Sequence, residues 1–222
     1  MLKRTLAVAV AIPALWLTSS PHAALIGYTS KAAYDAATAG FSDAQTVDFE
    51  GVASGTSIPS GSTISGLEFT YSIPGYSLQV SSTFGTTSGS NYLGLDNPDT
   101  AFNLGDSFSI QFGRTVHAAA LYVIAGGDTQ AGDFELSAGT GSVLNDAVAD
   151  ALVGDGSAWF LGLVETSGAG FTSATLRGVD AGGAYLAFSV DDIRSAVPEP
   201  GSAPLVLAGL AALAVFTNRK EA

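Results

Sequence analysis

The feature that most constrains the fold of this 222-residue chain is a hydrophobic alternation of period two that recurs from residue 46 onward. In its first occurrence, Val47 and Phe49 alternate with Asp48 and Glu50. Such a period places successive side chains on opposite faces of a strand, so each occurrence predicts a strand with one buried face. Ten strands are predicted, at residues 46–50, 64–71, 76–81, 92–95, 107–112, 116–125, 133–137, 158–164, 171–179 and 184–193.

Turn residues and one short helix complete the local pattern. Pairs such as Pro74-Gly75 and Gly105-Asp106 separate the strands and supply the backbone angles that tight turns need. Residues 29–39 predict one helix, which Gly40 ends. Residues 145–153 fit a helical turn or a strand and are assigned to a loop.

Many short strands without interleaved helices predict an all-β fold, a two-sheet antiparallel β-sandwich of jelly-roll type. Its predicted core consists of Phe69, Tyr71, Phe108, Ile110, Phe112, Leu121, Val123, Phe134, Leu136, Trp159, Leu161, Leu176, Phe188 and Val190.

Composition excludes one class of partner. Residues 25–196 carry four Lys or Arg residues against eighteen Asp or Glu residues, a net charge of −14 with histidine neutral. So acidic a surface repels phosphates, and no nucleic acid is expected to bind. The chain has no cysteine, so packing must hold the fold, alone or together with a bound metal ion.

The first 24 residues have the layout of a secretory signal peptide. Lys3 and Arg4 precede an apolar stretch at residues 6–17, and small residues follow as far as Ala24. This order is typical of export through the Sec translocon and removal by signal peptidase, here after Ala23 or Ala24. The predicted domain therefore covers residues 25–196.

The segment 197–222 has three parts in a fixed order. They are the tetrad Val197-Pro198-Glu199-Pro200, an apolar segment predicted to span the membrane at residues 203–217, and a basic tail at residues 218–222. Two prolines that flank a glutamate disfavour a helix and a central strand, so the tetrad is predicted to be a stiff, accessible peptide. The chain from Arg194 onward is predicted to be a short tether to the membrane.

This arrangement resembles the PEP-CTERM sorting signal, on the strength of the tetrad, the following Gly201, the Leu/Ala/Gly-rich segment and the terminal Arg219 and Lys220. The resemblance implies that an exosortase reads the signal. Exosortases are membrane-embedded, cysteine transpeptidase-like enzymes of Gram-negative bacteria that produce exopolysaccharide. It also implies an inner-membrane-anchored precursor that is delivered to the cell surface or extracellular matrix. The alternative is an ordinary C-terminal membrane anchor.

The domain is similar to sandwiches that are repeatedly attached to this signal. The similarity rests on residues 34–37, 47–51, 65–69 and 188–193. It implies a lectin-like or carbohydrate-binding-module-like fold, a class that often holds structural calcium.

No catalytic motif is recognisable in residues 25–196. His117 is the one histidine there, and no G-x-S-x-G motif occurs, so His117 is predicted to be a strand residue and not a base. One histidine without cysteine also argues against zinc. The glutamates offer no recognisable acid–base pair, so the protein is predicted not to be an enzyme, with a glycan-active hydrolase as the alternative.

Calcium is the cofactor that the carboxylates suggest, although none is required. If the first and last strands pair, Glu50 would meet Asp191 and Asp192, and carboxylates beside loop carbonyls are calcium ligands. The competing interpretation is that all three are solvated carboxylates at strand ends, because no contiguous calcium-loop motif is present.

Glycan binding calls for exposed aromatic rings beside amides or carboxylates. Tyr76, Tyr92 and Trp159 are the aromatic candidates, and Asp96 and Asn97 are the polar ones. Each ring could equally belong to the core, and the polar pair could serve only its own turn.

The sequence therefore predicts an exported, non-enzymatic surface or matrix protein that an exosortase sorts. A role in exopolysaccharide or biofilm is implied by the family resemblance. The alternatives are a glycan-active hydrolase on the same sandwich and a bitopic structural protein that keeps its anchor.

Overall fold

The alternating stretches form antiparallel strands in the computed structural model, which describes residues 25–126, 128–154, 156–166, 168–179 and 186–199, with Asp43 described by its backbone alone. In chain order the elements are β1 (Leu25–Tyr28), α1 (Lys31–Ala37), β2 (Phe41–Val47), β3 (Ser57–Ile58), β4 (Ser62–Ile64), β5 (Leu67–Tyr71), β6 (Leu78–Ser81), β7 (Tyr92–Leu95), β8 (Phe102–Asn103), β9 (Ser107–Val116), β10 (Ala118–Ala125), β11 (Phe134–Ala138), β12 (Gly141–Leu144), β13 (Ala151–Val153), β14 (Gly156–Glu165), β15 (Phe171–Gly178) and β16 (Ala187–Pro198).

The strands form two antiparallel sheets, which confirms the predicted all-β sandwich. Within the described residues, the larger sheet has ten strands along the order β1-β14-β10-β16-β7-β6-β3, with β13 paired to β14 and with β2 and β8 paired to β16. The smaller sheet has the order β12-β11-β15-β9-β5-β4.

The main core combines apolar side chains from both sheets. Stacked or tilted rings run through it, with centroids 5.2 Å apart for Phe102 and Phe108 and 5.1 Å apart for Phe134 and Phe188. Every residue of the predicted core is buried here except Tyr71, which packs against the core from a partly buried position. Burial of this kind contributes about 1.5 to 3 kcal/mol for each large apolar side chain.

A second apolar cluster covers the opposite face of the larger sheet. Tyr34 of α1 is 3 % exposed and packs on Phe160, with ring centroids 5.2 Å apart. Gly162 makes this contact close, since a Cβ there would lie 2.6 Å from a ring carbon of Tyr34. The helix predicted at residues 29–39 is therefore a cover for the sheet.

Strand β16 is the centre of the larger sheet. It pairs with β10 along one side, and with β8, β7 and β2 in turn along the other. It also extends to Pro198, so the tether predicted from Arg194 onward is wrong for residues 194–198.

The first predicted strand, at residues 46–50, lies earlier in the chain than predicted, at Phe41–Val47. Strand β2 ends at Val47, and Phe49 leaves the strand with a φ of 61° while its ring is buried. A turn in which the Glu50 N–H donates to the Asp48 side chain follows β2, with a donor–acceptor distance of 3.1 Å. Several strands of two to four residues were not predicted, among them β13 within residues 145–153, because they are too short to show a period.

Two predicted segments lie outside the described residues. They are the signal peptide at residues 1–24 and the membrane segment at residues 203–217, together with the tail at 218–222. None of the helices in the described part of the chain has the length and apolarity required to cross a bilayer.

Candidate functional site

A β-bulge in the middle of β16 brings two consecutive carboxylates to one place. Tyr122 of β10 pairs with Asp191 and Ala120 pairs with Arg194, so the two residues between Asp191 and Arg194 oppose a single residue of β10. Asp192 has a φ of 51°, the left-handed conformation that one class of β-bulge contains. The usual alternation is interrupted there, and both carboxylates reach Thr87.

The loop at residues 84–91 is attached to these carboxylates by its own donors. The N–H groups of Thr87 and Ser88 each donate to Oδ2 of Asp191 at 3.0 Å. The Thr87 hydroxyl lies 3.0 Å from Oδ2 of Asp191 and 3.0 Å from Oδ2 of Asp192. Because a hydroxyl carries one proton, it can donate to only one carboxylate at a time.

Burial makes Asp191 hard to ionise. Its side chain is fully buried, and this burial, together with the charge of Asp192, raises the pKa of Asp191 to about 6. The N–H groups of Asp192 and Ser88 and the Thr87 hydroxyl oppose that rise without cancelling it. Asp191 is therefore protonated over a wider pH range than an ordinary aspartate.

Glu50 holds the other end of the 84–91 loop. Its Oε1 accepts hydrogen bonds from the N–H groups of Ser90 at 2.7 Å and Asn91 at 2.6 Å, and these bonds lower the pKa of Glu50. Gly89 has a φ of +51°, and a Cβ there would lie 2.2 Å from the Glu50 carboxyl carbon, so a side chain at this position would be strained and would displace the Glu50 carboxylate. Glu50 and the two aspartates thus hold one loop from two ends.

The predicted calcium ligands are consequently arranged as acceptors for N–H and O–H donors. Glu50 does not join Asp191 and Asp192 in a three-carboxylate cluster, and the described residues contain no group of three or more His, Cys, Asp or Glu side chains that could hold a metal ion. Calcium binding stays a prediction that rests on the sequence.

Three of the predicted glycan-binding residues are interior. Tyr92 is fully buried and its hydroxyl lies 2.8 Å from the Thr100 hydroxyl. Trp159 is 5 % exposed and packs on Phe134, so neither ring offers a face to a sugar. Asn97 is also buried.

The polar candidates mainly shape their own turn. The Asn97 side chain donates to the Ala101 carbonyl at 2.8 Å and accepts from the Ala101 N–H at 3.1 Å. Asp96 is exposed and accepts from the Ser77 N–H at 2.7 Å. Tyr76, next to Ser77, is 44 % exposed, so Tyr76 and Asp96 are the two candidates that solvent reaches.

Phe84, which was not predicted as a site residue, has the exposed aromatic ring that was predicted for Tyr92. Phe84 is 48 % exposed, and its ring stacks on Tyr92 with centroids 6.2 Å apart and planes 26° apart. Phe84 lies outside every predicted strand and so gave no periodic signal. Its position in a loop between two strands was the only signal available.

Phe84 borders a groove of about 380 Å³, called here the Phe84 groove. Apolar side chains form most of its wall, and Asp128 and Ser189 add polar groups. The described residues that line it are Phe84, Gly85, Ala101, Ile124, Ala125, Gly126, Asp128, Val153, Gly156, Leu186, Ala187, Phe188 and Ser189. Its size falls within the range of small-ligand sites, about 300 to 1,000 Å³.

A second, polar groove of about 540 Å³ includes Thr86 and Thr87 of the same loop. Lys31 and Arg194 line it, but both pair with Asp35, and Arg194 Nη1 lies 3.5 Å from Asp35 Oδ1. Asp192 adds a further negative charge. The groove therefore carries no excess of positive charge that would attract an anion.

His117 has a partner that the sequence did not reveal. Its Nδ1 lies 3.7 Å from Oε2 of Glu165, and the Glu165 side chain is buried. Strand pairing explains the proximity, because the Glu165 N–H donates to the His117 carbonyl at 2.7 Å. No nucleophile is hydrogen-bonded to this pair among the described residues, so the pair does not complete a catalytic triad.

The sorting tetrad begins inside the fold. Val197 and Pro198 form the end of β16, paired with Ser42 and Phe41 of β2, and the Glu199 N–H donates to the Gly40 carbonyl at 3.3 Å. The prediction that the tetrad forms no part of a central strand is therefore wrong for Val197 and Pro198, although the side chain of Pro198 is exposed. Pro200 lies outside the described residues.

Comparison with known proteins bears on this end of the chain. Residues 196–220 match the PEP-CTERM protein-sorting motif. No curated protein matches the chain. The motif supports an exported protein whose membrane-anchored precursor an exosortase-like membrane enzyme processes for the cell surface.

Proposed function

We propose that this chain is a surface or extracellular-matrix protein that, once sorted, binds a neutral glycan without catalysis at the Phe84 groove. A role in an exopolysaccharide or biofilm matrix forms part of the proposal. The observation that carries it is the Phe84 ring, which is about half exposed, stacks on the buried ring of Tyr92 and lines a groove.

Phe84 is suited to hold a sugar ring because Tyr92 fixes one of its faces. A ring that is already ordered loses little conformational entropy on binding, so stacking on its free face is more favourable. The exposed Asp128 supplies acceptors for hydroxyl groups, as orienting polar groups do in ligand pockets, while Ser189 lines the groove from a buried position. The charge of −14 on residues 25–196 favours a neutral glycan over an anionic one.

Binding of the purified mature protein to a glycan array, compared with a Phe84→Ala variant, tests the proposal. We expect Phe84→Ala to weaken binding at least tenfold with little change in melting temperature, because about half of the ring is exposed. Tyr76→Ala is the matched control, since Tyr76 is similarly exposed at 44 %.

The opposite pattern would contradict the groove as the site. Loss of binding in Tyr76→Ala with binding retained in Phe84→Ala would instead favour the Tyr76 and Asp96 candidates. Release of reducing ends from a bound glycan, abolished by substitution of one carboxylate, would favour the hydrolase alternative. A full-length C-terminus in every cell fraction would favour the permanently anchored structural protein.

A further inference from the structure

The position of the sorting tetrad in the fold limits where the processing enzyme can cut. We propose that the cut lies on the C-terminal side of Glu199, while β16 remains docked on β2, so that the mature protein keeps the whole of its central strand. This inference rests on the sorting role and is independent of glycan binding.

The first step of the argument is that the end of β16 is fastened to the sheet. Val197 pairs with Ser42, and Val197 also packs against the main core. Beyond it, the Glu199 N–H still bonds to the Gly40 carbonyl. The ladder between β16 and β2 therefore extends over the first half of the tetrad.

Pro198 fits this ladder without breaking it. In an antiparallel pair, hydrogen-bonded and non-hydrogen-bonded positions alternate. Glu199 bonds to Gly40, so the next pair, Pro198 with Phe41, is a non-hydrogen-bonded pair. The missing N–H of Pro198 therefore points away from β2, and no bond to β2 is lost.

The second step concerns access. An enzyme that binds an extended peptide uses the peptide's own main-chain groups, and at alternate residues up to Glu199, namely Val197 and Glu199, these groups face β2 and are occupied by the ladder. A cut before Glu199 would first require the strand end to open, at a free-energy cost. A cut before Val197 would in addition remove the contact of the Val197 side chain with the core.

The side chains of Pro198 and Glu199 are nevertheless exposed. The sheet thus displays half of the motif for recognition while it protects the main chain behind it. Because the main chain up to Glu199 is held by β2 while the side chains of Pro198 and Glu199 remain accessible, we place the cut after Glu199.

The chemical step is ordinary acyl transfer. For an enzyme with a cysteine nucleophile, as the resemblance implies, the thiol would attack the carbonyl carbon before the cut, the C–N bond would break, and the leaving nitrogen would take up the thiol proton and depart with the tail. Transfer of the acyl group from the thioester to water, or to an acceptor amine, regenerates the thiol.

The test is the C-terminal sequence of the mature protein, read by mass spectrometry after expression of the full chain in a cell that contains an exosortase. We expect every mature chain to contain Glu199. A mature chain that ends at or before Pro198 would overturn the inference and leave the sorting role intact. A full-length chain in every fraction would overturn both.

A variant tests the protective role of the sheet. Ser42 occupies a hydrogen-bonded position opposite Val197, so Ser42→Pro removes a bond that holds the strand end. We expect faster amide exchange at residues 194–199 and mature chains with additional, earlier ends.

Thr63→Pro is the matched control, because it places a proline in β4, an edge strand of the smaller sheet. It should leave the cleavage position unchanged. An unchanged position in Ser42→Pro, despite faster exchange, would show that docking does not set the cut and would overturn the inference.

Discussion

At the scale of single residues, Asp191 is the least expected feature of this protein. A fully buried aspartate is costly unless donors surround it, and here the N–H groups of Thr87, Ser88 and Asp192 and two hydroxyls do so. The nearby charge of Asp192 still disfavours ionisation. Burial of Asp191 therefore lowers the stability of the folded protein, while its hydrogen bonds hold a surface loop in place.

We predict a specific dependence of stability on pH. The folded state holds the proton of Asp191 up to about pH 6, whereas the ordinary pKa is 3.8. Between these values the folded state binds more protons, so the contribution of Asp191 to stability falls as pH rises from about 4 to 6. A difference of about two pKa units corresponds to about 3 kcal/mol.

Urea denaturation of the wild type and of Asp191→Asn at several pH values between 4 and 7 measures this effect. The variant cannot titrate there, so the stability of the wild type relative to the variant should decline across the interval. A difference that stays constant with pH would show that Asp191 does not take up its proton there.

At the scale of elements, the 84–91 loop is an irregular segment held by strong local interactions. Asp191 and Asp192 hold its middle, and Glu50 holds its end. The loop presents Phe84 on one side and Thr86 and Thr87 on the other, so it borders both grooves. A binding surface on a loop needs such attachment to remain ordered.

A comparison of two glycines distinguishes the effect of losing the Glu50 contact from the effect of backbone strain alone. Gly89 has a φ of +51° and contacts Glu50, whereas Gly55 has a φ of +88° and has no atom within 4 Å of a built Cβ. Alanine is strained at either position by about 1 to 2 kcal/mol. We expect Gly89→Ala to be the more destabilising, because it also displaces Glu50.

Chemical denaturation and amide exchange check this expectation. The amides of Ser90 and Asn91 should exchange faster in Gly89→Ala and remain protected in Gly55→Ala. Equal destabilisation with unchanged exchange would mean that Glu50 does not hold the loop.

At the scale of the whole molecule, an acidic sandwich without disulfides is held by a large apolar core, to which aliphatic and aromatic side chains contribute. The last strand of the described residues, β16, is both the centre of the larger sheet and the start of the sorting signal. Folding and sorting therefore share one segment, and completion of the sheet orders the region that the processing enzyme must approach.

Calcium binding can be tested on the whole protein by measuring the melting temperature of the mature protein in calcium and in a chelator at equal ionic strength. Calcium binding at the paired carboxylates Asp191 and Asp192, without Glu50, predicts a higher melting temperature in calcium, and Asp191→Ala should remove the gain. The gain is compared within each variant, because Asp191→Ala also frees the loop. Identical melting curves would exclude the site.

Sequence reasoning was sufficient for the fold class and most of the core, because alternation such as Phe108, Ile110 and Phe112 reports directly which face of a strand is buried. It was insufficient for the site. The role of Asp191 depends on a bulge, and that of Phe84 depends on stacking across a loop, neither of which has a period.

The sequence by itself determined an all-β sandwich, its apolar faces and the C-terminal sorting motif, since each is encoded by residues close together in the chain. Only the tertiary structure decided that Tyr92 supports Phe84 from below, that Asp191 holds a loop more than a hundred residues away in the chain, and that Pro198 lies in a strand. These depend on which strands become neighbours, and strand register is set by contacts between residues distant in sequence.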